Sequence, residues 1–235
     1  MSTVVLLHAL AMDATMWDEQ RDALAASGCR VLAPNLTSPT ESTIDSMVDR
    51  VAAHLDDAGV RTATLVGSSM GGYVAMAFLR RHPGRVAALC LLAARATEDD
   101  AAVRAGREAF AQRVVTAGPG MIEATVPKLV GATTRAHRAD IVERVRAMAL
   151  AADVRALASA QRAIAGRADS RDVLRDTDVP VVVIAGDEDE LVSLAEASAT
   201  AAVAGAPLVV VAGAGHLTPL EAPATVTDVL LDLAC

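Results

Sequence analysis

Aromatic residues are nearly missing from this chain: one tryptophan, one tyrosine and two phenylalanines make up 2% of its 235 residues. Alanine, valine and leucine must therefore build the interior. Lysine is scarcer still relative to arginine. Lys128 is the only one, so Schiff-base chemistry has a single candidate, in a helical stretch far from the motifs below. Three cysteines (Cys29, Cys90 and Cys235) show no metal or redox spacing. Two of them fall where buried strands are expected, and there a thiol acts as a small hydrophobe, which suits a reducing cytoplasm. Long apolar runs are absent too: "VAALCLLAA", between Arg85 and Arg95, is far too short to span a bilayer. The start "MSTVVLLHALAMD" has no cationic lead and no clear cleavage site, and reads as a strand rather than a signal peptide. Positive charge is also short. A net charge of −8 disfavours nucleic acid and anionic membranes as partners.

What is present is a composition 53% hydrophobic and 21% charged, enough for one sizeable core and against disorder. Short β-branched runs alternate with longer helical patterns. Strands are expected at Val4–Leu7, Arg30–Ala33, Ala63–Val66, Val86–Leu92, Val181–Ala185 and Leu208–Val211. They are apolar throughout, as parallel strands covered on both faces are. Helices are expected at Met16–Ala26, Thr43–Ala58, Met70–Arg81, Leu194–Val203 and Ala224–Leu233, three of them closed by Gly28, Gly59 and Gly205. This alternation predicts an α/β, doubly wound and mostly parallel sheet of about six strands. Between Arg95 and Asp178 only helical pattern appears, interrupted at "AGPGM" and "VGATT". A crossover between neighbouring strands is normally short. We therefore expect a four-helix cap over residues 95–178, inserted into a core domain of residues 1–94 and 179–235.

"GSSMG", Gly67 to Gly71, fits G-x-S-x-G with Ser69 at its centre. The pattern is weak alone, but it follows an apolar strand and opens a helix, the context of a nucleophile elbow. A tight βα turn with Ser68 or Ser69 as helix N-cap is the plainer alternative. Two later segments favour chemistry. "GDEDELV" follows the fifth strand and "GAGHLTPLEAP" the sixth, putting a carboxylate and then a histidine at carboxyl ends of strands, where open α/β sheets place their sites. A serine hydroxyl needs an imidazole to accept its proton, and the imidazole needs a carboxylate to fix its tautomer.

With "VVLLHALAMDATMW", "GSSMGG", "RHPGRV", "GDEDELV" and "GAGHLTPLEAP" in order, the chain resembles the α/β-hydrolase superfamily, and within it small carboxylesterases and enol-lactone hydrolases. The resemblance implies Ser69 as nucleophile and His216 as general base. Its G-x-x-D pattern points to Asp189 as the acid, with Asp187 the runner-up; the rest of that acidic cluster reads as a solvated loop. It also implies an oxyanion hole from the backbone N–H groups of Leu10 and Met70, provided the strand order is 2-1-3-4-5-6. His8 stands at the family's HG position, where it would order the loop without touching the reacting proton.

Some positions depart from the pattern. Ala9 replaces the glycine of HG, Ser193 replaces a proline of the acid loop, and the antiparallel strands that usually lead the sheet are lacking. Leu217, after the histidine, disfavours cyanohydrin lyase chemistry, and a serine at the elbow disfavours dehalogenase or epoxide hydrolase activity. The expectation is a serine hydrolase cleaving a carboxylic ester or lactone of a small molecule through an acyl-enzyme. No histidine has metal-ligand spacing, and neither metal nor cofactor is expected. Trp17, Met12, Met16, Met121 and Met148 are candidate pocket residues, each as readily a core residue, and the few aromatics suggest a modest aliphatic pocket. Rival readings are acyl transfer or a lyase step in the same pocket, and a silent ligand-binding member of the fold. A homo-oligomer is left open.

Overall fold

The computed structural model describes residues 2–40, 43–118 and 120–234. Its sheet has six parallel strands: β1 Thr3–Leu7, β2 Arg30–Leu32, β3 Ala63–Ser68, β4 Val86–Leu92, β5 Val181–Gly186 and β6 Leu208–Val211, in the order β2-β1-β3-β4-β5-β6. This is the order the expected oxyanion hole requires. It makes β1 and β3 neighbours, with Leu7 opposite Gly67, so the loops leaving both strands rise side by side. β1 and β3 are buried along their whole length, while β2 and β6 are partly exposed edges.

The period-two alternation within each strand divides the core in two. Val5, Leu7, Leu65, Leu89, Leu91 and Val183 point to one face. They pack there against helices α2 (Ile44–Asp57) and α3 (Met70–Arg81), with α11 (Leu194–Ala204). Val4, Leu6, Val66, Cys90, Leu92 and Ile184 point to the other, towards α1 (Asp18–Ala26) and α13 (Pro223–Ala234). Each fully buried Val or Leu contributes about 1.5–3 kcal/mol relative to exposure, so these two layers carry most of the stability. Helix ends are specified locally. Thr43 and Ser46 form a capping box at the start of α2, and Gly28, Gly59 and Gly205 take the positive φ that closes the helices before them. Met16 and Trp17 belong to a 3-10 turn, Ala14–Trp17, that precedes α1 rather than to α1 itself.

Between β4 and β5 the described residues hold no strand, as expected, but seven helical pieces rather than four. They are α4 Ala101–Ala117, α5 Gly120–Glu123, α6 Val126–Leu129, α7 Ala132–His137, α8 Ala139–Ala151, α9 Val154–Ala165 and α10 Arg171–Arg175. Breaks at Gly118 and Gly131 split what periodicity alone runs together; Pro119, in the first of them, lies outside the described residues. α9 buries Leu157, Ala160 and Ile164, spaced three and four apart, on one stripe. A further short helix, α12 (Thr218–Glu221), follows His216.

Cys90 is a free, buried thiol, and burial pushes its pKa far up, so it is inert at neutral pH. Cys29 is disulfide-bonded instead, which withdraws the cysteine-based ground for expecting a reducing compartment. Cys235 lies outside the described residues. Among the described residues, no helix is long and apolar enough to cross a membrane.

Candidate active site

The elbow begins with two close approaches. A side chain at Gly67 would strike the backbone carbonyl of Gly71, and one at Gly71 would strike the carbonyl of Leu7 on β1. Only glycine lets strand, turn and helix come this near. Between them Ser69 has φ 51° and ψ −111°, a left-handed conformation that costs a non-glycine residue about 1–3 kcal/mol. Its N–H donates to the Leu92 carbonyl at 2.8 Å, pinning the turn to β4. The two serines separate clearly. Ser68 ends β3 fully buried, and its Oγ has no hydrogen-bond partner among the described residues. Ser69 lines a cavity of about 410 Å3. The N-cap alternative fails, because Ser69 makes no side-chain cap hydrogen bond.

His216 lines the same cavity. Its Nδ1 lies 2.8 Å from Asp189 Oδ2, and the Asp189 side chain is 0% exposed. The other Asp189 oxygen accepts the N–H groups of Leu191 and Val192 at 2.8 and 3.0 Å. The carboxylate is thereby held at both oxygens and fixes the imidazole's orientation. Asp187 is occupied elsewhere, its Oδ1 accepting the Gly213 N–H at 2.7 Å. The remaining acids do not form a merely solvated loop. Glu188 accepts both the N–H and the hydroxyl of Thr133 on α7 at 2.7 Å, bonds that lower its pKa. Glu190 pairs with Arg135 at 3.2 Å. The acidic run fastens the helical insert to the loop that carries Asp189.

Glu221, which sequence reasoning passed over, holds the His216 loop. One oxygen accepts the Leu217 N–H at 3.0 Å. The other accepts the Gly215 N–H at 2.9 Å, the Gly131 N–H at 2.7 Å and the Thr134 hydroxyl at 2.7 Å. The carboxylate thus brackets His216 on both sides and ties it to the insert. Its position five residues after the histidine was visible, but an acid near a helix end has many ordinary explanations.

The loop after β1 is ordered by His8, as expected. Leu36 N–H donates to His8 Nε2 at 3.0 Å, so the ring proton sits on Nδ1 and bonds the Ala9 carbonyl at 2.9 Å. Burial lowers the His8 pKa, against the raising effect of the Ala9 carbonyl and of Asn35 Oδ1, 3.2 Å from Nε2. Leu10, two residues on, lines the cavity. Among the described residues the N–H groups of Leu10 and Met70 donate to no protein acceptor, and Met70 N–H sits at the amino end of α3, where the helix dipole favours negative charge.

The other expected pocket residues are not brought there. Trp17 and Met16 are fully buried in the core beneath β1, because the 3-10 turn rotates them inward. Met12 and Met148 line a separate depression, and Met121 packs against the same core. The cavity's apolar wall comes instead from Val103, Phe110, Ile122, Leu157 and Ile164. Beside it a charged cluster surrounds Asp99, whose side chain is 0% exposed. Arg95 lies 2.7 Å away, Arg107 2.5 Å and Arg167 2.8 Å. Burial alone would raise the Asp99 pKa. The hydrogen bonds and charges of Arg167 and Arg107 outweigh it and hold the carboxyl far below the usual range.

These features agree with comparisons to known proteins. A family model described as alpha/beta hydrolase fold matches residues 2–223, so the chain belongs to that family. An esterase from Thermogutta terrifontis, solved with malate bound, is 33% identical with a TM-score of 0.94, over 99% of this chain and 89% of that one. An enol-lactonase from Burkholderia xenovorans is 25% identical with a TM-score of 0.88, over 99% and 90%. A protein of a Mycobacterium phage, provisionally assigned as a non-heme haloperoxidase, is 34% identical over 103 residues, 41% of this chain and 37% of that protein. The chain thus spans little more than a third of that relative.

Proposed function

We propose that this protein hydrolyses a carboxylic ester or lactone of a small molecule through a Ser69 acyl-enzyme. The observation that carries this reading is one cavity onto which a strained elbow serine and a carboxylate-held histidine both open. The esterase and enol-lactonase among its structural relatives support the choice of substrate class.

With Nδ1 donating to Asp189, the lone pair of His216 is on Nε2. His216 accepts the Ser69 proton as Oγ attacks the carbonyl carbon. The oxyanion of the tetrahedral intermediate takes the free N–H groups of Leu10 and Met70; a donor of this kind is worth about 3 kcal/mol. His216 then protonates the leaving oxygen, and the alcohol departs. For a lactone, that alcohol remains on the acyl chain. Water, deprotonated by His216, attacks the acyl-enzyme and frees Ser69.

The test is a mass adduct on Ser69 after fluorophosphonate treatment, read with hydrolysis of short 4-nitrophenyl esters. Ser69→Ala should form no adduct and lose activity by a factor of at least about 10^3, and Asp189→Asn should lose about 10^4 in kcat. Equal hydrolysis by wild type and Ser69→Ala would defeat the reading. Acyl transfer is separated by adding methanol and measuring the share of methyl ester formed.

A further inference from the structure

The charge on the cavity wall is one-sided. Three cationic residues, Arg95, Arg107 and Lys128, line it together with Ser69 and His216, and among the described residues no aspartate or glutamate does. Two of the cations are partly compensated: Arg95 by Asp99 and Glu196, Arg107 by Asp99. Arg167 draws on the same Asp99 carboxylate, so three guanidinium groups share two carboxylates and the cluster keeps a net positive charge. Two donors are left over. Arg95 Nε is buried with no hydrogen-bond partner among the described residues, an arrangement that native structures rarely leave unexplained. Lys128, on α6, forms no ion pair among the described residues. The rest of the wall is mostly apolar and the Arg95 and Arg107 side chains are largely buried, which strengthens their part of the field.

We propose that the substrate is an anion: an ester or lactone that also carries a carboxylate, which Lys128 receives together with the Arg95–Arg107 side of the cavity. This rests on the hydrolase reading above and narrows its substrate class. The remote carboxylate is not the reacting group. It orients the acyl carbonyl at Ser69 and spends binding energy on positioning. Lys128 supplies the uncompensated charge; the arginines, held by Asp99, supply a fixed donor array. Substituting Arg95 or Arg107 would strip Asp99 of a partner and disturb folding. Lys128 is exposed and can be changed without that risk.

The experiment compares matched esters at low ionic strength: monoethyl adipate against ethyl hexanoate, and 4-acetoxybutanoate against butyl acetate. One pair puts the charge on the acyl part, the other on the leaving group. In at least one pair the charged ester should exceed its neutral counterpart about tenfold or more in kcat/KM. Lys128→Gln should cut that ratio several-fold, and Lys128→Glu should invert it. The ratio within each variant cancels losses of folded protein. A ratio at or below one in both pairs, or one unmoved by both substitutions, overturns the proposal. Calorimetric binding of adipate against its uncharged diamide separates this inference from the hydrolase reading. Lys128-dependent preference for adipate with no ester cleaved keeps the carboxylate subsite and defeats the ester reading. Cleavage abolished by Ser69→Ala but indifferent to charge does the reverse, and absence of both defeats both.

Discussion

Around Ser69 the chain is positioned by its backbone: glycines that admit close approach, a main-chain bond to Leu92, and strands buried on both faces. Across the cavity the helical insert is positioned far more by charged side chains. Glu188 and Glu190 reach to α7, Glu221 reaches to Gly131 and Thr134, and Asp99 gathers arginines from three places in the chain. Backbone geometry sets the serine within narrow limits and tolerates little change. Side-chain pairing lets the opposite wall vary in charge and shape while Ser69 stays put. One fold can therefore keep its chemistry and change its substrate.

The contrast can be broken from either side. The largest effect should come from Gly71→Val, which drives a side chain into the Leu7 carbonyl. The loss should exceed about 4 kcal/mol, seen as little folded protein or a collapsed urea midpoint; a variant as stable as wild type would refute the backbone argument. Next comes Asp99→Asn, which leaves three arginines around an uncharged amide. Removing one partner of a buried ion pair costs about 3–5 kcal/mol. The pH dependence has a definite sign. The folded-state pKa is depressed, so the contribution is present above the unfolded value of about 3.9. It is lost as the pH falls through the folded value. The stability gap between wild type and Asp99→Asn should therefore be full at neutral pH and close on acidification below that value. A gap independent of pH would contradict the assignment. The smallest effect belongs to Arg162→Ala. Its pair with Glu108, 3.0 Å apart, has both side chains nearly half exposed, and exposed pairs contribute little. Its thermal midpoint should barely move, and a large drop would mean that the insert depends on its surface pairs too.

What the sequence discloses follows the same division. The sheet, the elbow turn and the pairing of Asp189 rather than Asp187 with His216 were legible, because each depends on local periodicity or on spacing within a few residues. The cavity's charge was not. Arg95, Arg107 and Arg167 are scattered among 21 basic residues, and only folding brings them to Asp99. That aspartate sits in "TEDD" and reads as part of a surface acidic run, yet it is buried. Trp17, open to a pocket or a core reading, was undecided for the opposite reason. A large side chain close after the expected oxyanion loop suggests a pocket wall, but a 3-10 turn, which periodicity does not flag, turns it into the core. The breaks that divide the insert into seven pieces are likewise short, all but one of them one or two residues within long helical pattern.

The contact between Gly131 and Gly215 bears on how this protein could be redesigned. A side chain at Gly215 would meet the Gly131 amide, and one at Gly131 would meet Glu188 and the Gly215 amide. Enlarging either residue to reshape the cavity would push the insert and the His216 loop apart. Val103 and Phe110, on α4, touch the cavity without holding His216. A mutagenesis library confined to that helix could vary this wall of the cavity while the seam beside the histidine stays closed.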